Sequence, residues 1–200
     1  MSASSDHAAA LLAMAARDLA VRERLAADGS LFDGYHPHME HVHLEHAARL
    51  SDLIDDIGWP NVELVGAEAA EAAWLILQHA ISMPALQRRG LALLETEAAH
   101  DRAEASNVAM LEDRIRVFEG RAQRFGTQFD WDANGQLSPH PIEDPAGVDA
   151  RRREVGLPPL DETTAKHRRR AREEGEHPPD DAAARRAQAD AWARRVGWRD

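Results

Sequence analysis

Five of the eleven histidines lie within one stretch of the chain, His36-Pro-His-Met-Glu-His-Val-His-Leu-Glu-His46. Every third or fourth position from Met39 onward forms one face of a predicted helix, whose members are Met39, His43, His46, Leu50, Leu53 and Ile57. Two of the first three positions on this face are imidazoles. Burying a polar ring where leucine would serve costs free energy unless the ring is paired or ligated. The stretch therefore predicts either a polar site at one helix end or histidines that crowd a solvated end of a helical bundle.

The composition restricts the class of protein. The formal net charge of −11 argues against a nucleic-acid binder, because phosphate recognition needs a basic face. The chain has no cysteine, which excludes disulfides, thiolate metal ligands and a cysteine nucleophile. Almost all of the positive charge is arginine, and the arginine runs at 151–153 and 168–170 are predicted to lie on solvated helix faces.

No segment of the sequence suggests a membrane protein. The longest apolar run, residues 72–77, is too short to cross a bilayer. Residues 1–6 lack the basic region and the apolar core of a signal peptide. We expect a soluble cytoplasmic protein that binds neither nucleic acid nor membranes, with its oligomeric state left open.

Five segments predict the core helices, at about 7–27, 37–57, 66–81, 84–100 and 104–119. Asp6 is a suitable cap for the first helix, Pro37 fits the first turn of the second, and Gly58 ends it. The third helix is apolar on nearly every side in its C-terminal half, as expected for a central helix. These features predict an all-α fold, a helical bundle of about five core helices.

A change of character after Gly120 predicts a small β-hairpin. Two extended segments flank Asn134-Gly135, a pair that favours a tight hairpin turn. Pro139 and Pro141 restrict the second strand to the edge of a sheet, because proline has no amide proton to donate.

The C-terminal part of the chain is predicted to wrap the bundle. Residues 143–160 suggest a wrapping loop, and residues 161–200 a charged helical tail that docks through Trp192 and Trp198. We therefore expect two domains, a bundle with hairpin and loop over residues 1–160 and the tail over residues 161–200.

A combination of short motifs resembles a known family. The motifs are Gly58-Trp-Pro60, Glu71-Ala-Ala-Trp-Leu-Ile-Leu-Gln-His-Ala80, Glu112-Asp-Arg114, Gly126-Thr-Gln128, Pro141-Ile-Glu-Asp-Pro145 and Val148-Asp-x-Arg-Arg-x-x-Val-Gly-Leu157. With them, residues 20–160 resemble a bacterial family described only as a domain of unknown function. The resemblance implies a mostly helical, soluble bacterial protein and carries over no catalytic residues. The histidines at 36, 38, 41 and 46 are additional to the family pattern.

The helix lengths predict which polar residues share a site. In an up-and-down bundle, the level of a residue follows from its position along its helix, at about 1.5 Å per residue. His43 lies fifteen residues before Gly58, and His79 lies thirteen residues after the third helix begins, so both are predicted at one bundle end. The fifth helix and the segment after it return towards that end. The predicted site comprises Glu40, His43, Gln78, His79, Asp113, Arg114 and Gln128.

Three interpretations of these histidines stay open. The first is a mononuclear site for one divalent transition metal, with Glu40, His43 and His79 as ligands and other positions open for water or substrate. The second is a dinuclear carboxylate site, because Glu40-x-x-His43 and Glu97-x-x-His100 share its spacing, although His100 is predicted at the far end of the bundle. The third is a pair of core imidazoles hydrogen-bonded to neighbouring side chains.

The predicted function is a small-molecule site with metal-assisted or histidine-based chemistry, hydrolytic or oxidative. The candidates are His43, His79 and Asp113 for catalysis and Gln78, Arg114 and Gln128 for substrate binding. The sequence contains neither a phosphate-binding loop nor a nucleophile elbow. The alternative is a non-catalytic interaction or accessory protein whose polar core sets packing specificity. An open cavity of a few hundred cubic ångströms beside these side chains distinguishes the two.

Overall fold

The computed structural model describes residues 3–32 and 34–200. Met1 and Ser2, at the start of the segment considered above for a signal peptide, and Asp33 lie outside the described residues. The described ranges are mostly helical with one small hairpin, which confirms the predicted all-α class. The elements are α1 (Ala3–Ala27), a 3-10 turn (Ser30–Phe32), α2 (Pro37–Ile57), α3 (Val62–Val65), α4 (Ala67–His79), α5 (Pro84–Ala98), α6 (Ala105–Phe118), β1 (Phe129–Trp131), β2 (Leu137–Pro139), α7 (Val148–Glu154), α8 (Leu160–Glu173) and α9 (Ala182–Val196).

The chain forms two compact units, Met1–Ala103 and Glu104–Asp200. The first contains α1 to α5, and the second contains the hairpin and α6 to α9. The boundary between the units falls in the turn between α5 and α6. The sequence-based division into domains at residue 160 differs from it and stays a prediction.

Helix α2 has the bounds that the histidine-rich stretch predicts. The His36 side chain accepts a hydrogen bond of 3.1 Å from the His38 amide and so caps the N-terminus, where Pro37 supplies a preset φ angle. At the other end Gly58 has a φ of 75°, a conformation that glycine adopts without strain, and its amide donates to the Ile54 carbonyl. The first five members of the predicted face are all buried. The buried residues of α2 are Met39, Val42, His43, His46, Ala47, Leu50, Leu53 and Ile54.

Helices α1, α2 and α4 pack against one another in the first unit. The short helix α3 between α2 and α4 was not predicted from the sequence. The Asn61 side-chain oxygen accepts hydrogen bonds from the amides of Glu63 and Leu64, at 3.0 and 3.1 Å, and this cap starts a separate helical turn. Gly66, with a φ of 82°, ends that turn and begins α4.

The end of α4 is held by a buried amide and a glycine in α5. Gln87 is fully buried, and its Nε2 donates to the carbonyls of Leu77 and Gln78, at 2.8 and 3.2 Å. These carbonyls belong to the last turn of α4, where the Ala80 amide also donates to the Leu77 carbonyl. Gly90 lies so close to Leu77 that a Cβ atom would be 2.6 Å from the leucine Cδ2. Both contacts fix the helix end that carries His79.

The predicted hairpin is confirmed in the second unit, with shorter strands. Strands β1 and β2 pair antiparallel, with Asp130 opposite Ser138. The Asp132 side chain accepts hydrogen bonds from the amides of Asn134 and Gln136, at 2.8 and 3.0 Å, and Gly135 has a φ of 69°. The Asn-Gly turn therefore closes the hairpin with the side-chain support that such turns favour.

The helical tail docks through tryptophans, as predicted. The rings of Trp192 and Trp198 lie 5.3 and 5.2 Å from the ring of Phe118 at the end of α6. Ring centroids at these separations are in favourable aromatic contact. The C-terminal residues are thus part of the packing of the second unit.

Candidate metal centre

Three helices of the first unit bring one carboxylate and two imidazoles together. Asp18 lies in the middle of α1, His43 in the second turn of α2, and His79 at the last position of α4. The Asp18 Oδ2 atom lies 3.0 Å from His43 Nε2 and 2.9 Å from His79 Nδ1, and the two rings are 4.8 Å apart. The predicted proximity of His43 and His79 is therefore confirmed. Within the described ranges, these three residues form the group whose ligand-type atoms could hold a metal ion, all within 4.8 Å of one another.

The electrostatics of the group centre on Asp18, whose side chain is 1% exposed. Burial by itself raises the pKa of the Asp18 carboxyl, because it disfavours the charged form. The short polar contacts and the charges of His43 and His79 outweigh burial and hold this pKa well below its usual range. The Asp18 carboxylate is therefore ionised at neutral pH.

A chain of hydroxyl groups leads away from the other nitrogen of His43. The Tyr35 hydroxyl lies 2.7 Å from His43 Nδ1 and hydrogen-bonds Ser82, and the Ser82 hydroxyl donates to Glu40 Oε1 at 2.7 Å. Burial and the nearby charge of Glu40 raise the pKa of Tyr35, so its hydroxyl keeps its proton. The chain runs from a carboxylate through two hydroxyl groups to an imidazole.

The contact with Tyr35 bears on the protonation of His43. Ser82 donates its single proton to Glu40, and the Tyr35 hydroxyl shares one hydrogen bond with His43 Nδ1. Where His43 Nδ1 is the donor in that bond, a neutral ring has no proton left for Nε2. In that case the Nε2 atom of a neutral His43 presents a lone pair to the Asp18 carboxylate. This arrangement is repulsive unless a cation, either a proton or a metal ion, lies between the two atoms.

Several buried polar atoms around this group lack a hydrogen-bond partner within the described part of the chain. His43 Nε2 is close to Asp18 but is not oriented for a directed hydrogen bond, and Asp18 Oδ1 has no partner. Both ring nitrogens of the neighbouring His46 are also unpartnered. Buried polar atoms are nearly always satisfied, so a concentration of exceptions in one place points to a ligand.

The structure places the other predicted residues of the first unit beside this group. Glu40, a predicted metal ligand, accepts a hydrogen bond from the Ser82 hydroxyl. The carboxylate that lies between His43 and His79 belongs to Asp18. Gln78 precedes His79 in α4, and its carbonyl accepts from Gln87. The residues of the alternative Glu97-x-x-His100 pair have other partners: Glu97 binds Asn61 and Arg102, and His100, just after α5, contacts the Thr96 carbonyl.

Asp18 was missed by the sequence analysis although the sequence contains a signal for it. Leu11 and Leu25 lie seven residues before and after Asp18, and both are buried, with exposures of 0% and 6%. Residues seven apart share one face of a helix. An acidic residue in the middle of an apolar helix face therefore marks a buried carboxylate that needs a partner.

The remaining predicted site residues belong to the second unit. The buried carboxylate of Asp113 accepts hydrogen bonds from the amides of Arg124, Phe125 and Thr127, at 2.7, 3.1 and 3.0 Å, and from the Thr127 hydroxyl. These contacts fold the segment after α6 around one side chain. The roles predicted for Asp113 in catalysis, and its convergence with the histidines, stay predictions.

Arg114 and Gln128 meet within the same unit. Arg114 Nε lies 3.4 Å from Gln128 Oε1, and burial lowers the pKa of Arg114 to about 10. The Gln128 amide donates to Gln123 Oε1 at 3.0 Å, and Gln128 Nε2 donates to Thr127 Oγ1. Substrate binding by Arg114 and Gln128 stays a prediction.

The expectation of a solvated face for residues 151–153 was wrong at Arg152, which is 2% exposed. Its guanidinium donates to the carbonyls of Phe125 and Pro158 and, at 2.7 Å, to the Thr163 hydroxyl. A buried guanidinium is tolerated where oxygen acceptors surround it.

Two cavities, of about 210 and 430 Å³, flank the hairpin in the second unit, and Trp131 lines both. Neither is lined by Asp18, His43 or His79. A functional assignment for the histidines therefore rests on coordination chemistry and draws no support from these two cavities.

Replacement of Asp18 by asparagine should destabilise the protein by about 3 kcal/mol at pH 6, because it leaves the buried His43 and the partly buried His79 without their charged partner. The folded-state pKa of Asp18 is lowered, so its contribution is present above about pH 4 and is lost as the pH falls towards the folded value. Urea unfolding of wild type and Asp18→Asn should give a difference that shrinks below about pH 4. Asp52→Asn, an exposed change in α2, is the control. A difference that does not change with pH would contradict an ionised Asp18.

Replacement of Asp113 by asparagine should release the segment after α6, because the new side-chain NH2 faces amides that need an acceptor. Hydrogen exchange at the amides of Arg124, Phe125 and Thr127 is expected to accelerate at least tenfold, the equivalent of about 1.4 kcal/mol. The exposed Asp180→Asn should leave these rates unchanged. Unchanged exchange in Asp113→Asn would show that Asp113 does not anchor the segment.

No helix in the described ranges is both long enough and apolar enough to cross a membrane. Comparisons with curated proteins and with solved structures give no match to this chain. Residues 5–168 match the family of unknown function DUF6624, so the chain belongs to that family.

Proposed function

We propose that this protein binds one divalent transition metal through Asp18, His43 and His79 and uses it in a hydrolytic or oxidative reaction on a small molecule. One observation carries the proposal. His43 Nε2 and His79 Nδ1 both lie within 3.0 Å of one oxygen of the ionised Asp18 carboxylate, and His43 Nε2 makes no directed hydrogen bond to it. A metal ion held by these three donor atoms satisfies His43 Nε2 and the carboxylate at once.

The distances within the group suit a metal ion. Metal–nitrogen and metal–oxygen bonds of about 2.1 Å at a right angle put the two donor atoms about 3.0 Å apart. The Asp18 oxygen lies at 3.0 and 2.9 Å from the two imidazole nitrogens. All three donor atoms lie within 4.8 Å of one another.

The donor set indicates the kind of metal. Two imidazoles and one carboxylate suit zinc or ferrous iron, and the chain has no thiolate to favour softer ions. The Tyr35 hydroxyl at His43 Nδ1 acts as the outer partner that a ligating histidine normally has, since it fixes the orientation of the ring. Glu40, a predicted ligand, contributes through Ser82 and Tyr35 instead of through the metal.

Three protein ligands leave positions for water and substrate. A zinc-bound water at such a position is a hydroxide source near neutral pH, and ferrous iron there can bind dioxygen. The His79 side chain is 28% exposed, so small molecules can approach the group from its side. Bound metal therefore supports hydrolytic or oxidative chemistry at the His79 side of the group.

The competing function is a non-catalytic accessory protein with a structural polar core. The short contacts between Asp18 and the two histidines also favour this function. Protonated imidazoles can neutralise the Asp18 carboxylate without a metal ion. The two functions differ in one measurable property, since a structural core has no need of a metal.

Tag-free protein should bind close to one zinc or ferrous ion per chain. Asp18→Ala, His43→Ala and His79→Ala should each weaken zinc binding at least 100-fold, because each removes a ligand. Zinc affinity should fall as the pH is lowered, since the ligands must lose their protons. Elemental analysis and competition titration with a chromophoric chelator measure both properties.

The control addresses adventitious binding at the start of α2. His38 and His41 are exposed and His36 is half-buried. None of the three belongs to the group of Asp18, His43 and His79. A triple alanine variant of these residues should keep the full stoichiometry and affinity. Loss of zinc in the triple variant, or folded wild type without metal, would exclude the proposal and favour the structural core.

A further inference from the structure

His46 occupies an unusual position next to the proposed metal site. It lies one helical turn after His43 on the buried face of α2 and is 3% exposed. Both of its ring nitrogens lack a hydrogen-bond partner within the described ranges, as does Asp18 Oδ1. An unpartnered buried polar group costs roughly 1–3 kcal/mol, and the same helix face continues with Leu50 and Leu53. Leucine would therefore be the more stable residue at position 46.

The environment of His46 keeps its ring neutral. Burial and the charge of Arg17 lower its pKa, and the charge of Asp18 opposes this in part. His43 and Glu45 contribute weaker effects of opposite sign. A neutral imidazole still carries one N–H, so His46 has a proton to donate to a neighbouring acceptor.

We propose that His46 is a positioning residue for the metal centre, and this inference rests on the proposed function. When the metal ion takes Asp18 Oδ2, the His46 N–H donates to Asp18 Oδ1 and holds the carboxylate in its coordinating orientation. Ligand carboxylates are normally hydrogen-bonded by such an outer partner. Asp18, His43 and His79 supply the three donor atoms of the proposed site. His46 does not belong to this group of candidate ligands.

Three variants test this role. His46→Leu should weaken zinc binding 10- to 100-fold, the usual effect of removing an outer partner. Its melting temperature without metal should equal or exceed that of wild type, because two unpartnered nitrogens are replaced by an apolar side chain. His46→Gln keeps an N–H donor and should recover most of the affinity. His41→Leu, an exposed change on the same helix, should alter neither property.

A spectroscopic measurement separates positioning from ligation. In wild-type protein, zinc should bring a slowly exchanging His46 ring N–H into the proton NMR spectrum. The visible absorption of bound cobalt(II) should be the same in wild type and His46→Leu, because the ligand set does not change. A changed cobalt spectrum would make His46 a ligand and overturn the inference.

The remaining outcomes separate this inference from the proposed function. If wild type and His46→Leu bind zinc equally, His46 has no positioning role and the metal site stands. If His46→Leu instead lowers the melting temperature and leaves the affinity of the folded protein unchanged, His46 is a core residue only. If wild type binds no metal, both the site and the inference are wrong.

Discussion

In the core of the first unit, the Asp18 carboxylate lies between two imidazoles, with one oxygen 3.0 Å from His43 Nε2 and 2.9 Å from His79 Nδ1. The three side chains come from α1, α2 and α4, so the group depends on the packing of all three helices. Burial opposes the charge on Asp18, and the imidazoles restore it. This single interaction joins the three helices and keeps Asp18 ionised although it is buried.

The second unit contains a buried carboxylate, that of Asp113, whose hydrogen-bond partners differ from those of Asp18. Asp113 is as deeply buried as Asp18, but three backbone amides and a hydroxyl donate to it. Its hydrogen bonds are therefore complete within the chain, and its environment is that of a structural anchor. Asp18, in contrast, faces nitrogens of adjustable protonation and keeps one oxygen unpartnered. The contrast supports a functional assignment for Asp18.

Local patterns were sufficient to predict most of the fold. The bounds of α2 and the proximity of His43 and His79 follow from caps, spacing and helix length, which depend on neighbours in sequence. Asp18 was also accessible through its place on an apolar helix face. The contact between Ser82 and the predicted ligand Glu40 joins residues 42 positions apart. Such contacts depend on tertiary packing, and no local pattern specifies them.

The most direct test of the account is cadmium-113 NMR of nitrogen-15-labelled protein, in which scalar coupling identifies the atoms bonded to the metal. One bound cadmium ion should couple to Nε2 of His43 and to Nδ1 of His79 and to no other histidine. Coupling to His43 through Nδ1 would contradict the hydrogen-bond chain from Glu40. Coupling only to histidines outside the Asp18 group, or none at all, would contradict the metal centre itself.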